Sequence, residues 1–190
     1  MMKHSMPPAN PNAGISYDKK RLKEIYLAGG CFWGAQAYLA RVPGVAETVT
    51  GYANGRTDNP SYEDVCRRGT GHAEAVLVRY DPEMLGLDRL LDAYFRAIDP
   101  TVRNRQGNDV GSQYRTGIYY TDPSDRAVAE AALERVRQEY DKPVVTELLP
   151  LQNFGRAEEY HQDYLEKNPG GYCHVDFSAL AGLEREGKSQ

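Results

Sequence analysis

A cysteine in the setting of a reactive thiol lies in residues 29–34, Gly-Gly-Cys-Phe-Trp-Gly. An apolar, strand-like run at 25–28 precedes it, and a helix-like run at 33–41 follows it. The N–H groups and the positive dipole end at a helix start favour the thiolate, which is the reactive form of cysteine. The pattern therefore predicts that Cys31 is a nucleophile. The alternative is a buried structural cysteine in a tight strand-to-helix turn.

Glu74 could supply a proton to such a reaction. If residues 72–80 form a strand, Glu74 shares a face with the apolar Val76 and Val78, because residues two apart point to the same side. A carboxyl group on an apolar face is costly to ionise, so its pKa should rise, and a neutral carboxylic acid can donate a proton to an oxygen. The alternative is a solvated glutamate at the open end of the strand.

Two further cysteines bear on the same chemistry. Cys173 follows Gly170 and Gly171 by three and two residues. A thiol on a mobile, glycine-rich tail could reach an oxidised partner and form a disulfide with it, but it could equally be a passive surface thiol. Cys66 is interpreted as a half-buried structural residue. With three cysteines and no Cys-x-x-Cys pair, the chain predicts neither a disulfide scaffold nor a zinc site.

Aromatic and acidic side chains near these groups could bind a small molecule. Phe32 and Trp33 stand directly after the cysteine. Tyr62 and Tyr114 lie in polar, turn-rich segments, where a hydroxyl could donate a hydrogen bond to a substrate oxygen. Asp109 could hold such a donor in place.

The composition excludes several classes of protein. The 190 residues are 41% hydrophobic and 26% charged, as in an ordinary globular domain, and the net charge of −4 includes no basic run that would attract nucleic acid or an anionic membrane. No apolar stretch approaches the roughly 20 residues that span a bilayer. Residues 1–16 lack the apolar core of a signal peptide and predict a disordered leader. We therefore expect a cytoplasmic protein whose single catalytic domain occupies residues 17–190.

Alternating strands and helices would position these residues. We expect strands at 22–28, 45–52, 72–80, 116–121 and 144–149, and helices at 33–41, 87–98, 122–140 and 157–165. The last helix would carry His161 on its apolar stripe, in the core. The order predicts an α+β fold of the split βαβ (ferredoxin-like) type, a two-layer sandwich with a mixed sheet and a long, coil-rich C-terminal tail. The polar stretch 99–115 is long for a loop, which predicts a functional one.

Several motifs together resemble the A-type peptide methionine sulfoxide reductases, and they follow one consistent order from residue 23 to residue 173. The matching segments are GGCFWG at 29–34, GYANG at 51–55, NPSYEDVC at 59–66, TGHAEAV at 70–76, DPT at 99–101, NRQGNDVGSQYR at 104–115 and NPGGYC at 168–173.

The resemblance implies a role for each candidate residue. Cys31 would be the nucleophile, Glu74 the acid and Cys173 the resolving thiol. Five side chains would surround the substrate, the first two around its methyl group and the others around its sulfoxide oxygen: Phe32, Trp33, Tyr62, Asp109 and Tyr114. This chain has one tail cysteine where some relatives have two, and Ile98 stands where many have a histidine, which leaves the local hydrogen bonding open.

The implied reaction reduces the S epimer of methionine sulfoxide, free or in proteins, to methionine. Cys31 would become a sulfenic acid and condense with Cys173 to a disulfide, which thioredoxin would reduce. No metal or organic cofactor takes part, and we expect a monomer.

Two other functions remain open from the sequence. A thiol peroxidase would share the nucleophile and the resolving thiol but would have little use for Phe32 and Trp33. A non-catalytic module that binds methionine side chains would not need Cys173.

Overall fold

Strands and helices alternate through the protein, whose computed structural model describes residues 6–183. Eight strands lie in this range: β1 (Lys23–Gly29), β2 (Val45–Ala53), β3 (Ala73–Tyr80), β4 (Arg105–Gln106), β5 (Asp109–Val110), β6 (Thr116–Tyr120), β7 (Glu147–Pro150) and β8 (Phe154–Arg156). Five α-helices lie in it: α1 (Phe32–Leu39), α2 (Tyr62–Arg67), α3 (Leu87–Arg96), α4 (Asp125–Glu139) and α5 (Tyr164–Lys167). None of these helices is both long and apolar enough to cross a membrane.

Six strands form one mixed sheet in the order β7-β6-β1-β3-β2-β8. β6 and β7 run parallel, whereas the other neighbouring strands of this sheet are antiparallel. β4 and β5 form a separate two-stranded hairpin. The expected α+β class with a mixed sheet is therefore confirmed.

The core fixes the register of the strands that carry the candidate residues. Ile25 and Leu27 of β1 lie opposite Val78 and Val76 of β3, and all four belong to the main core, together with residues of α1, α3 and α4. The intervening residues of these strands form a smaller cluster on the opposite face of the sheet, against Phe154. Burial of one such side chain is worth about 1.5–3 kcal/mol, so a one-residue slip of β3 would be strongly unfavourable.

The predicted helix at 157–165 is wrong as a single element. Residues Glu159–His161 form one 3₁₀ turn, and α5 begins only after Asp163, whose φ of 53° is left-handed and incompatible with a continuous helix. Long-range bonds hold this break, because the Asp163 N–H donates to Gln36 Oε1 at 2.9 Å. Tertiary contacts have thus overridden the helical spacing.

Other boundaries also differ from expectation. α4 begins at Asp125 rather than at 122, since the Asp122 side chain accepts bonds from the Ser124 N–H and hydroxyl and forms a turn instead. The strand expected at 144–149 is shorter and shifted to β7. Neither β8 nor α2 was predicted, although Ser61 and Asp64 form a reciprocal capping box at the start of α2.

The long polar segment at 99–115 contains the β4–β5 hairpin and a 3₁₀ turn, Ser112–Tyr114. Buried Gln106 fixes its start, because its amide accepts from the Asp99 N–H and donates to the Asp99 carbonyl, at 2.9 and 2.8 Å. Ile98 packs against the Cα of Gly29, so an apolar contact occupies the position where many members of the resembled family have a histidine.

A disordered leader was expected at 1–16, but residues 6–16, the described part of that segment, are docked on the folded protein. Asn12 is buried, and its amide donates to the carbonyls of Ala40 and Val42, both at 2.9 Å. Its oxygen accepts from the Tyr17 hydroxyl and the Gly44 N–H. These bonds satisfy carbonyls just beyond the end of α1, which gives the leader a physical reason to dock.

Arg41 joins N-terminal and C-terminal segments of the described range to the end of α1. The guanidinium donates to the carbonyls of Pro8 and Ala37 at 2.6 and 2.8 Å, and it pairs with Glu166 at 2.6 Å. It also lies over the ring of Phe177 in the C-terminal segment. Arg41 is only 3% exposed, so its charge is compensated by these partners.

Candidate active site

Cys31 occupies the turn between β1 and α1. Gly30 has φ of 79°, a conformation that glycine adopts without strain, and this lets the chain turn directly into α1 with Cys31 as its N-cap residue. The backbone N–H groups of Trp33 and Gly34 hydrogen-bond the sulfur. The predicted strand–turn–helix setting of the cysteine is therefore confirmed.

The expected lowering of the Cys31 pKa by the helix start is outweighed by burial. Burial raises the pKa of the Cys31 thiol well above its ordinary value, and the nearby carboxyl groups of Glu74 and Asp109 act in the same direction. The N–H groups at the start of α1 lower the pKa but do not outweigh these effects. Helix-start arguments consider only the dipole, whereas here the enclosed site and its acidic neighbours dominate.

Glu74 is buried beside the cysteine, not solvated at a strand end. The residue is 1% exposed, it lies opposite Tyr52 in the sheet, and its Oε1 accepts the Phe32 N–H at 3.1 Å. Burial raises the pKa of Glu74 to about 8, against the lowering effect of the Phe32 N–H, and Asp109 adds to the rise. The expectation of a raised pKa is confirmed, and Glu74 carries a proton in most molecules at neutral pH.

An aromatic wall, formed by Phe32, Trp33, Tyr62, His161 and Tyr164, flanks the cysteine turn. Trp33 stacks on Tyr164 with centroids 3.7 Å apart, and its indole N–H donates to His161 Nδ1 at 2.9 Å. The His161 ring contacts Phe32 and Tyr62 at centroid distances of 5.1 and 4.9 Å. His161 is buried as expected, but it lies at the centre of this wall rather than on the stripe of a continuous helix.

Tyr62, Tyr114 and Asp109 lie on the polar side of the site. Burial raises the pKa of both tyrosine hydroxyls, and Glu74 contributes to both shifts, so the two hydroxyls remain donors. Asp109 acts electrostatically on Tyr114, Glu74 and Cys31. The structure thus brings these three residues together with Cys31 and Glu74.

Cys66 is half-buried, as expected, and is close to the site. Its thiol hydrogen-bonds the Tyr62 hydroxyl and the Gln113 side chain. Burial raises the pKa of the Cys66 thiol, and the bond to Tyr62 opposes the rise. Cys66 therefore helps to hold Tyr62.

The tail that carries Cys173 is docked on the start of α1, which differs from the expected mobile segment. A Cβ added to Gly34 would lie 2.9 Å from Cys173 Sγ and 3.3 Å from His174 Nδ1. His174 Nε2 bonds the Gly29 carbonyl at 2.8 Å. Glycines at 30 and 34 leave the space that the tail fills, so Cys173 lies near the cysteine turn without a swing of the chain.

Sequence reasoning missed the roles of three residues that complete the site, Tyr172, Glu158 and Tyr164. The Tyr172 hydroxyl hydrogen-bonds Asp109. Glu158 accepts from the Tyr52 hydroxyl at 2.8 Å and from the Tyr62 N–H at 3.0 Å. Tyr172 stands directly before Cys173, which was the available signal, whereas nothing local marks Tyr164 or Glu158.

Comparison with known proteins agrees with this geometry. A sequence model of the family described as "Peptide methionine sulfoxide reductase" matches residues 23–188. A curated relative from Clostridium acetobutylicum, "Peptide methionine sulfoxide reductase MsrA", is 55% identical over 154 residues, which are 81% of this chain and 95% of the relative.

Solved structures show the same likeness. Reduced Mxr1 from Saccharomyces cerevisiae superposes with a TM-score of 0.78 at 38% identity, over 85% of this chain and 94% of the yeast chain. Mxr1 in complex with Trx2 superposes with a TM-score of 0.57 at 27% identity, over 86% of this chain and 94% of that chain. The chain therefore belongs to the peptide methionine sulfoxide reductase family and is an enzyme of its A type.

Proposed function

We propose that the enzyme reduces the S epimer of methionine sulfoxide, free or within oxidised proteins, through Cys31, Glu74 and Cys173. One observation carries the proposal: a buried carboxyl group with a pKa of about 8 lies against the turn that holds a thiol. A protonated carboxylic acid can neutralise the oxygen that leaves a sulfoxide.

The first step is attack of Cys31 on the sulfoxide sulfur, through the fraction of the thiol that is ionised. The aromatic wall would take the apolar methyl group and orient the sulfur, and the hydroxyls of Tyr62 and Tyr114 would donate to the sulfoxide oxygen. Glu74 gives that oxygen a proton. Methionine leaves, and the oxygen remains on Cys31 as a sulfenic acid.

The second step forms a disulfide. The Cys173 sulfur attacks the sulfenic sulfur of Cys31, the S–S bond forms as the S–O bond breaks, and the oxygen leaves as water. Contact of both cysteines with Gly34 supports this pairing. Asp109, which the Tyr172 hydroxyl holds in place, would keep the hydroxyl donors of the site in position for the substrate oxygen.

Thioredoxin is the reductant we propose for the disulfide. The yeast relative has been solved in complex with Trx2, and this supports a thioredoxin partner here. Thiol–disulfide exchange would restore both cysteines without a metal or an organic cofactor.

We also propose the domain extent, the fold topology, the oligomeric state, the cellular location and the biological role of the enzyme. Residues 17–190 would act as one catalytic domain, of which 184–190 lie outside the described range. β3 lies between β1 and β2, and this order supports the split βαβ (ferredoxin-like) arrangement. The protein would act as a monomer in the cytoplasm and repair proteins after oxidative damage, and its three free cysteines support a reducing compartment.

Single-turnover mass spectrometry tests the proposal. Reduced enzyme is mixed with racemic methionine sulfoxide, quenched, and mapped for disulfides. We expect one equivalent of methionine from one epimer and a Cys31–Cys173 disulfide. Rapid thiol oxidation by peroxide without methionine would favour a thiol peroxidase instead, and binding of methionine without either reaction would favour a binding module.

A further inference from the structure

His174 is a histidine that the proposed reaction does not yet use, although its ring covers the cysteine turn. Its Nε2 lies 2.8 Å from the Gly29 carbonyl. A Cβ added to Gly30 would come within 2.8 Å of Nε2, and one added to Gly34 within 3.3 Å of Nδ1. The ring therefore extends from Gly30 to Gly34, across the turn that holds Cys31.

The bond to Gly29 fixes the tautomer of the ring. A carbonyl oxygen only accepts, so Nε2 must carry the hydrogen, and the neutral ring then has its lone pair on Nδ1. Burial lowers the pKa of His174, which keeps the ring neutral. Nδ1 is buried and has no hydrogen-bond partner among residues 6–183. A fixed, buried acceptor with no partner is unusual and calls for an explanation.

The thiol of Cys173 is the group to which this acceptor is best matched. Cys173 Sγ and His174 Nδ1 lie against the same side of Gly34. The hydrogen bonds that the structure gives this thiol within residues 6–183 are weak and lie in its own segment, at 3.5 Å to the Val175 carbonyl and 3.4 Å from the Val175 N–H. Burial raises the pKa of the Cys173 thiol, so at neutral pH it needs a base to become the attacking thiolate.

We propose that His174 is the base of the disulfide-forming step: its Nδ1 takes the proton of the Cys173 thiol while its Nε2 holds the recycling tail on the Gly29 carbonyl. This role rests on the proposed relay from Cys31 to Cys173. The Cys173 thiolate attacks the Cys31 sulfenic sulfur, and an S–S bond forms as the S–OH bond breaks. Cys173 is oxidised and Cys31 is reduced. The departing hydroxide takes the proton back from the imidazolium and leaves as water.

The decisive variant is His174→Gln. A glutamine amide can still donate to the Gly29 carbonyl, but it is not a base, so this variant separates docking of the tail from proton transfer. Cys31 sulfenic acid is generated either with methionine sulfoxide or with one equivalent of hydrogen peroxide. The quenched samples are mapped for the Cys31–Cys173 disulfide, and Cys173→Ser supplies the background.

We expect H174Q to form methionine at the wild-type single-turnover rate but to form the disulfide about 10²-fold more slowly at pH 7. Imidazole added to His174→Ala should restore part of the rate. Among residues 6–183, the titratable groups near the ring are Cys173 and Tyr172 in its own segment, Cys31 in the turn it covers and Asp109 on β5. Since Cys173 ionises unaided at high pH, the deficit of H174Q should shrink as the pH rises.

Three outcomes would overturn the proposal. Disulfide formation at the wild-type rate in H174Q would overturn the role of His174 as base. It would leave the relay from Cys31 to Cys173 in place, because the relay would then proceed without this base. A deficit that is equal at every pH and insensitive to imidazole would reduce His174 to an anchor of the tail. Absence of the disulfide in the wild-type protein, under both oxidants, would overturn the relay itself and this role with it.

Discussion

Glu74 shows how the protein keeps a carboxylic acid protonated at neutral pH. It lies on the helix-covered face of β3, in line with Val76 and Val78, where water cannot solvate a charge. The Phe32 N–H stabilises the charged form of Glu74, but burial outweighs this contact. The chemistry of this residue is therefore set by its place on a strand and not by a neighbouring base.

Replacement of Glu74 by Gln tests its role as acid. The amide keeps the size and a donor but cannot release a proton, so methionine formation in a single turnover should fall roughly 10²–10⁴-fold. Rapid quench with detection of methionine measures this step. Glu130→Gln, an exposed glutamate of α4, is the matched control and should react at the wild-type rate. Near-normal single-turnover rates in E74Q would remove Glu74 from the mechanism.

The same residue should make stability depend on pH. In the folded protein Glu74 keeps its proton up to a pKa of about 8, whereas in the unfolded chain it ionises near 4.5. The folded state therefore binds more protons between these values, and stability should fall as the pH rises from about 4.5 to about 8 and then level off. Urea unfolding of the wild-type protein and E74Q at pH 5 and pH 8 measures the difference.

E74Q should lose that decline and be the more stable protein at pH 8, by about 2–5 kcal/mol. A parallel pH dependence in the two proteins would show that Glu74 ionises normally in the fold. Together, the kinetic and stability measurements would show a residue that costs stability where it serves function.

At the scale of the elements, the start of α1 contacts both Cys31 and Cys173. Its first N–H groups bond Cys31, and its Gly34 offers the flat surface on which Cys173 and His174 dock. Glycine is a poor helix former, so its presence inside α1 needs a reason. Close approach of the tail supplies one.

Gly34→Ala should separate the two halves of the reaction. The new methyl group would lie 2.9 Å from Cys173 Sγ and force the tail to shift, although alanine itself favours the helix. We expect methionine formation close to normal and disulfide formation about tenfold to a hundredfold slower, by disulfide mapping after a single turnover. Gly170→Ala, where the added methyl has nothing within 4 Å, is the control. Equal disulfide rates in both variants would contradict the docked tail.

How far the sequence predicts these elements depends on how local their causes are. β1, β3 and α1 follow from apolar periodicity, and with them the positions of Cys31 and Glu74 were correct. The break at Asp163 depends on Gln36, which is 127 residues away, and no local pattern reveals it. The prediction of a mobile tail was wrong for the same reason. The glycines at 170 and 171 indicate mobility, but the surface on which the tail docks, at residues 29–34, is far away in the sequence.

At the scale of the whole molecule, the N-terminal segment is part of the folded structure. Asn12 makes four side-chain hydrogen bonds, to Ala40, Val42, Tyr17 and Gly44. The curated relative matches 81% of this chain, so the chain contains residues beyond that match. A docked segment at the end of α1 would steady the helix that carries the cysteine.

Asn12→Ala measures what this segment contributes. Loss of the amide leaves buried carbonyls without partners and should lower the free energy of unfolding by about 2–4 kcal/mol in urea titrations. Single-turnover methionine formation should not change, because Asn12 lies at the other end of α1. Gln138→Ala, an exposed amide of α4, is the control. Equal stability of the two variants would mean that the segment does not dock in solution.

The meeting of the Pro8 and Phe177 segments at Arg41 has a practical consequence for assays. Pro8 on one side and Phe177 on the other contact the same guanidinium, and Phe177 lies in the same C-terminal segment as Cys173, so a disturbance of either segment can reach the recycling thiol. The rate of thioredoxin-driven turnover of a tagged enzyme would then include any effect of the tag on these segments. The single-turnover burst of methionine from pre-reduced protein does not depend on recycling by thioredoxin. Comparison of the burst with thioredoxin-driven turnover, before and after removal of the tag, separates an effect of the tag on recycling from an effect on methionine formation.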